Sequence, residues 1–402
     1  VHVAFVADLE GLGGAGIAAS RLAIGLARAG VRVTRLSNNP SKLPIGEPVT
    51  WESRYAGPPR ALEVGLNGLR RGLPRLARAL GRIDSSRRLR AAIAAEQIDV
   101  VHVQGIHAGY WDHAALGSLD PDCPVVWTFH DCWGFSPESY LYRDLEGREQ
   151  RVKPDGADRG AALERRRRYF ASRTRIRLAA SSAWVADEAR RLLGLEVSVI
   201  PYGLDLESFR PIDRRVAREA LGIPTDAIVV GFSADVRAEP LKGFEVLRRA
   251  LERLGDARLF GIALGDGPVG VERIGRTPVR LMGRVVHPTL LAAVYAAADV
   301  FVMPSLAEAM GQVAMEAIAC GTPVIASAVG GLPEVVAEGE SGFLFRAGDD
   351  AALAQRLGAI AANPEVAHTL VASCRARAVG RWGLERQARA YLALYGALTD
   401  AT

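Results

Sequence analysis

Residues 299–345 hold two carboxylates, Glu308 and Glu316, eight positions apart. Glu308 falls in a loop after a short apolar β-branched run, and Glu316 falls inside the helical pattern that follows Gly311. Two acids so placed read first as facing one cleft. Paired carboxylates are the equipment of a glycosidase, one as general acid and the other as nucleophile or base. Two histidines, His107 and His130, stand beyond the apolar runs 98–103 and 125–129, His130 flanked by Asp131 and Trp133. Open parallel sheets bind ligands outside the carboxyl ends of their strands, so both histidines are placed where chemistry occurs, His130 with the more polar setting. Near the start, Gly11, Gly13 and Gly16 fit a GxGxxG spacing, whose glycines let backbone N–H groups approach a diphosphate at a helix N-terminus. A nicotinamide enzyme would carry an acid after the second strand for the ribose, and here Leu36 is followed by Ser37, Asn38 and Asn39. The glycine stretch therefore reads as a contact for a phosphate or sugar of another ligand, ahead of a plain tight turn. Asp120 and Asp122 sit in a proline turn before a strand, so no metal is expected there.

The elements that must position these residues follow from the apolar pattern. Strand 1–8, helix 17–29 closed by Gly30, and strand 31–36 make a βαβ opening. Strands 98–103, 125–129, 176–180 and 197–200, with a helix over 184–193, complete the first half, and residues 137–168 read as a mobile loop ending in a helix. Pro201, Tyr202 and Gly203 begin a hinge. The second half starts over, with strands at 228–233, 259–264, 279–282, 300–303, 324–327 and 343–345, and with Lys242 and Gly243 preceding a helix that runs to 254. Strands alternating with helices in both halves predict an α/β protein of two doubly wound parallel sheets, with the active cleft between them. The length of 402 residues agrees with two domains of roughly 150 to 200 residues each.

Composition narrows the class. Hydrophobic residues make up 49%, and no polar low-complexity tract interrupts the chain. Cys123, Cys132, Cys320 and Cys374 lie far apart without a CxxC, which reads as reduced and structural. The first residues look like a buried strand rather than a leader, and no apolar run approaches the roughly 18 residues of a membrane span, so a cytoplasmic setting is expected. The net charge of +5 is an arginine excess, concentrated over residues 60–90 where leucines recur at helical spacing. This amphipathic basic pattern reads first as a solvated arginine-rich face and second as peripheral contact with the inner face of a membrane. Nucleic acid is not expected, because stacking aromatics are missing there.

Taken together, several segments resemble the glycosyltransferases of family 4, which have the GT-B architecture of two Rossmann-like domains facing a central cleft. They are the opening Gly13-Gly14-Ala15-Gly16-Ile17-Ala18-Ala19, the run from Val125 through His130 to Trp133, the hinge from Val199 through Pro201-Tyr202-Gly203 to Phe209, and Glu308 with Glu316. The resemblance covers nearly the whole chain, and residues 101–107 paired with 128–133 are similar to a branch found in exopolysaccharide pathways. It implies a retaining, metal-independent transfer of a sugar from a nucleotide diphosphate sugar to a hydroxyl acceptor, with no separate cofactor. The acceptor would be a polysaccharide, a lipid-linked glycan or a natural-product intermediate.

The same resemblance assigns roles. Arg237 and Lys242 match the basic pair that meets the leaving diphosphate, here five positions apart where six is commoner. Glu316 matches the acid that holds the donor ribose. Glu308, with backbone N–H groups of Met310, Gly311 and Gln312, matches the loop that holds the donor sugar, and Ala309-Met310 stands where Gly-Phe is commoner. His130 matches a histidine near the reacting carbon, Gly13 and Gly14 the turn against phosphates and acceptor, and the backbone around Arg284 and Val285 the base site. Implied domains are residues 1–203 for the acceptor, 204–380 for the nucleotide sugar, and 381–402 as a helix crossing back to the first. A front-face departure of the leaving group is implied, which leaves the glycosidase reading behind. A GT-B nucleotide-sugar epimerase and, further off, an NAD(P)-dependent oxidoreductase are the alternatives.

Overall fold

The structure is a computed structural model that describes residues 1–9, 13–39, 52–55, 86–106, 116–136, 140–143, 149–152, 159–233 and 240–400. His107, Arg237 and the arginine-rich run up to residue 85 lie outside these residues. The chain divides into two compact units, one of Val1–Ser139, Lys153–Gly203 and Leu384–Thr402, the other of Tyr140–Val152 and Leu204–Gly383.

The first unit is built on β1 (His2–Leu9), β2 (Arg32–Asn39), β3 (Glu52–Tyr55), β4 (Val100–Val103) and β5 (Val125–Phe129). A hairpin of β6 (Tyr140–Arg143) and β7 (Glu149–Val152) comes next in the chain and falls to the second unit. This corrects the expectation of a loop over 137–168: two short antiparallel strands precede the helix Arg159–Ala171. With β8 (Ile176–Ala180) and β9 (Ser198–Val199), the first sheet has the order β3-β2-β1-β4-β5-β8-β9 and is parallel throughout. Every residue of β4 and β5 is buried, as befits central strands covered on both faces.

The first helix spans Gly13–Arg28, so it begins earlier than the glycine spacing suggested, and Gly14 and Gly16 belong to its opening turns rather than to a loop. Ala19, Leu22, Ala23 and Leu26 form its apolar stripe and share a core with Val3, Phe5 and Val126. The last helix, Leu384–Thr399, adds Ala388, Tyr391, Tyr395 and Leu398 to that core. The two helices meet at Gly25, where a Cβ would stand only 3.0 Å from the Leu384 carbonyl oxygen. The helix expected over 381–402 begins later, at Leu384: Arg381 ends the helix Val371–Arg381, and Trp382 is buried in the second unit, where its carbonyl accepts from the Leu204 N–H at 2.6 Å.

The second unit has β10 (Ile228–Ser233), β11 (Leu259–Leu264), β12 (Gly270–Ile274), β13 (Thr277–Leu281), β14 (Val300–Met303), β15 (Val324–Ser327) and β16 (Gly342–Phe345), in the order β12-β13-β11-β10-β14-β15-β16. All pair in parallel except β12, which runs antiparallel to β13 at the edge. That hairpin departs from the expected all-parallel sheet. Of β12 only Ile274 is buried, so no apolar run marked it. Helices Phe244–Leu254 and Asp350–Ala362 set Leu247, Ala250, Leu251, Leu353 and Leu357 into a core with Val230, Phe232 and Val302.

At the amino end of β14, the buried Asp299 anchors this unit. Its carboxylate accepts from the Val229 N–H and from Arg218 Nη2, both at 2.7 Å, and pairs with Arg214 Nη1 at 3.1 Å. Arg218, also buried, donates three further N–H groups to the carbonyls of Ala297, Thr225 and Ala227. All four cysteines are free thiols. Among the described residues, no helix is long and apolar enough to cross a membrane.

Candidate active site

In the second unit, the expected site residues stand on loops at the carboxyl ends of neighbouring strands. Strand β10 leads through a 3-10 turn, Pro240–Lys242, to Gly243. Strand β14 leads into the loop of Glu308, and β15 leads to Gly330 and Gly331. These three loops are fastened to one another. The Leu306 N–H donates to the Leu241 carbonyl at 2.6 Å. Gly243 has φ +72°, and its α-carbon lies so close to the Pro304 carbonyl that any side chain would collide with it. The same holds for Gly330, φ +52°, against the Glu308 carbonyl, which accepts from the Gly331 N–H at 3.2 Å. Ser327 Oγ donates to the Ser305 carbonyl. Two glycines at positive φ are thus required by close approach, and the approach sets the register of the loops.

This framework brings Lys242 to Glu308. Lys242 Nζ donates to Glu308 Oε2 at 2.6 Å; the carboxylate side chain is 10% exposed and the lysine 32%. The cation is therefore oriented by a buried acid yet open to an incoming anion. Glu316 lies on the helix Gln312–Ala319, 6% exposed, and its Oε2 accepts from the Tyr295 hydroxyl at 2.6 Å. Tyr295 is itself fixed: its ring packs edge-on against Phe301, and its carbonyl accepts from Thr322 Oγ1 at 2.8 Å. Gly311, at φ +88°, caps the start of this helix, so the first N–H groups of the helix have no intrahelical acceptor. Met310 is buried and Gln312 half-buried. Arg284 and Val285 follow β13, where Arg284 forms a two-pronged pair with Asp266 at 2.5 and 2.6 Å across to the loop after β11.

Strand order supplies the layout. Since β13, β11, β10, β14 and β15 are consecutive neighbours, Val285, Asp266, Lys242, Glu308 and Gly330 follow one another along the carboxyl edge. The step from β13 to β14 crosses three strand spacings, roughly 14 Å. An elongated ligand lying across the strand ends would meet the backbone of Val285, the Asp266–Arg284 pair, the Lys242 cation and the Glu308 carboxylate in that order.

In the first unit, Gly13 (φ +65°) and Gly14 are exposed at the head of the first helix. His130 follows β5 and is held on both ring nitrogens: Nδ1 lies 2.9 Å from the Tyr202 hydroxyl and Nε2 2.8 Å from Gln104 Oε1. The Tyr202 ring stacks on it at 5.6 Å. Gln104, 2% exposed, follows β4 and donates its N–H to the Val6 carbonyl at 2.9 Å. Asp131 turns inward to accept from the Trp133 N–H at 2.9 Å, which shapes the loop after the histidine. Among the described residues, no three His, Cys, Asp or Glu side chains gather as a metal site, and Asp122 instead accepts from Thr174.

Glu308, Glu316, Lys242 and His130 lie on the elements expected from the sequence, and Tyr295 and Gln104 are partners that the sequence did not single out. Tyr295 sits in an alanine-rich helix, and Gln104 is one polar residue at a strand end. Neither carries a spacing signal.

Residues 12–208 match the profile of a family described as Glycosyltransferase Family 4, and residues 227–363 match Glycosyl transferases group 1. A D-inositol 3-phosphate glycosyltransferase of Actinosynnema mirum is 33% identical over 325 residues, covering 74% of this chain and 73% of the relative. Among solved structures, a sucrose-phosphate synthase of Thermosynechococcus elongatus superposes with TM-score 0.73 at 24% identity, covering 100% of both chains. Anabaena HepE in complex with UDP-glucose does so with TM-score 0.69 at 20% identity, covering 98% of this chain and 99% of the other. These structures share the GT-B fold of two Rossmann-like domains.

Proposed function

Because this chain belongs to the family 4 glycosyltransferases, we propose that it transfers a sugar from a nucleotide diphosphate sugar to a hydroxyl with retention at the anomeric carbon and without a metal. The observation that carries this reading is the Lys242–Glu308 pair at 2.6 Å, fastened between the loops of three adjacent strands and followed by the Glu316–Tyr295 pair. A departing diphosphate needs positive charge aimed at it before the bond breaks, and a pre-oriented ammonium supplies that without reorganisation. Arg237 is proposed as its partner cation. An ionised carboxylate only accepts, with about four lone-pair sites over its two oxygens. Glu308 uses one on Lys242 and has others for sugar hydroxyls, while Glu316, oriented by Tyr295, is proposed to accept from the hydroxyls of a ribose. Met310, Gly311 and Gln312 would add backbone N–H groups to the sugar, and Val285 backbone groups would hold the base. His130, Gly13 and Gly14 are proposed as contacts of the donor sugar and phosphates.

In the proposed step, the bond from C1 to the diphosphate oxygen breaks and the acceptor oxygen bonds to C1 on the same face. The acceptor proton passes to the departing phosphate oxygen. The first donors to assay are UDP-sugars, by analogy with the Anabaena protein, and the first acceptor is D-inositol 3-phosphate, by the name of the 33% relative. Following the product by proton NMR, with and without EDTA, tests both finer claims. Product of the donor's own anomeric configuration, formed at the same rate with chelator, is expected. An inverted product overturns retention, and loss of turnover with EDTA that returns with added divalent cation overturns metal independence.

A further inference from the structure

The second unit has a cavity of about 580 Å³ at the end of its sheet opposite the Lys242 and Glu308 loops. It lies at the amino ends of β10, β14 and β15, where Ile228, Asp299 and Thr322 line it. The length of β14, four residues and roughly 13 Å, separates it from the loop of Glu308. A cavity of this size suits a small organic ligand rather than a lone ion. Pro211, Ile212, Ala296 and Val371 give it an apolar wall.

The charge in the rest of the wall does not balance. Arg214 and Arg218 stand one turn apart on the helix Arg214–Leu221 and share a single carboxylate, Asp299. Arg218 Nη2 holds Oδ2 at 2.7 Å. Arg214 Nη1 reaches Oδ1 at 3.1 Å, an oxygen that His368 Nε2 also approaches at 3.6 Å. Arg214 Nε is buried and has no hydrogen-bond partner among the described residues. Burial lowers the pKa of Arg214 more than Asp299 raises it. A guanidinium does not release its proton in a protein, so the wall keeps a surplus positive charge. Arg215 also lines the cavity, 76% exposed and paired only at 3.8 Å with Glu219. The acids nearby, Asp226 and Glu365, are exposed, where solvent screens them.

We propose that this cavity binds a small organic phosphate, with the phosphate group on Arg214 and Arg215 and an apolar body against Ile212, Ala296 and Val371. A phosphate monoester carries roughly −1.5 to −2 charges near neutral pH and three acceptor oxygens, enough to engage two guanidinium forks. A carboxylate has one charge and two oxygens, which a single fork satisfies. The site stands apart from the carboxyl-edge loops, and the proposal does not rest on their reading as a donor site.

The test is isothermal titration calorimetry of the full chain with phenyl phosphate, whose phosphate and ring match the two parts of the cavity wall. Saturable binding is expected, with benzoate and inorganic phosphate each at least tenfold weaker. Arg214→Met should abolish it. Arg215→Ala, which removes an exposed side chain, should weaken it threefold or more, and Val371→Trp, which fills the cavity from a half-buried position, more than tenfold. Lys242→Ala, at the other end of the sheet, should leave the affinity for phenyl phosphate unchanged. No saturation up to about 10 mM phenyl phosphate overturns the proposal. Unchanged affinity in either Arg215→Ala or Val371→Trp does the same, and these two variants decide the matter even if Arg214→Met does not fold. Loss of binding in Lys242→Ala overturns it by placing the phosphate on the carboxyl-edge loops. Benzoate or inorganic phosphate binding as tightly as phenyl phosphate overturns the assignment of an organic phosphate.

Discussion

Glu308 and Glu316 invite acid–base catalysis when read as bare sequence, and their partners change that. Each carboxylate already accepts a short hydrogen bond, from Lys242 and from Tyr295. Such acceptors suit the holding of hydroxyls better than the exchange of protons. Lys242→Ala and Glu316→Ala should each lower kcat/KM for the donor more than tenfold, at least about 1.4 kcal/mol of transition-state stabilisation; unchanged kinetics would remove those roles. Tyr295→Phe deletes one hydroxyl and leaves Glu316 in place, so donor KM should rise two- to tenfold, about 0.5–1.5 kcal/mol for one hydrogen bond. A donor KM equal to that of the unsubstituted enzyme would show that Glu316 needs no orientation. The acids and the lysine were legible because residue type and element boundary coincide at each. Tyr295 was not, since its role depends on a helix 21 positions upstream lying against the Gln312–Ala319 helix.

At the scale of elements, the site depends on how the three loops lock. Gly243→Ala would set a methyl against the Pro304 carbonyl at a backbone angle that only glycine takes easily. It should cost donor turnover more than tenfold while the sheet beneath stays folded; a circular dichroism spectrum like that of the unsubstituted protein checks the second half. Asp299→Ala acts at the opposite end of β14. It leaves the buried guanidinium of Arg218 without its carboxylate, which should lower unfolding stability by about 3–5 kcal/mol, read from urea denaturation. A loss below about 1 kcal/mol would show that the carbonyls around Arg218 suffice. The central strands were legible as apolar runs, because burial on both faces leaves no other composition. Strands β6, β7 and β12 were not: short edge or hairpin strands with few buried side chains have no such signature. The start of the first helix was misplaced for a related reason, glycines having been read as loop where they open a helix.

At the scale of the whole molecule, each unit carries its own core, and the last helix belongs to the first of them. That core encloses His102, which burial first and the neighbouring His130 second hold well below the usual imidazole range of about 6.5. A depressed histidine binds its proton on unfolding. Its contribution is therefore present above about pH 6.5 and is lost as pH falls below it, by up to about 1.4 kcal/mol per pH unit. The urea midpoint of the chain should fall between about pH 7 and about pH 5; a midpoint that rises over this window would contradict a neutral buried His102. The architecture was legible from the alternation of strands and helices, whereas this polar interior was not, because His102 stands in an apolar strand with no partner near it in sequence except Gln104.

The loops at the carboxyl edge of the second sheet are proposed to hold a nucleotide diphosphate sugar. The most direct measurement is the melting temperature of the purified chain against a panel of UDP-, GDP-, ADP- and dTDP-sugars, repeated with Lys242→Ala and Glu316→Ala. Binding to the folded state alone stabilises it by RT ln(1 + [L]/Kd), about 2.7 kcal/mol at a hundredfold excess over Kd. At least one nucleotide sugar is expected to raise the melting temperature of the unsubstituted chain, and both substitutions to abolish most of the rise. No shift with any member of the panel, or a shift that survives both substitutions, would contradict it.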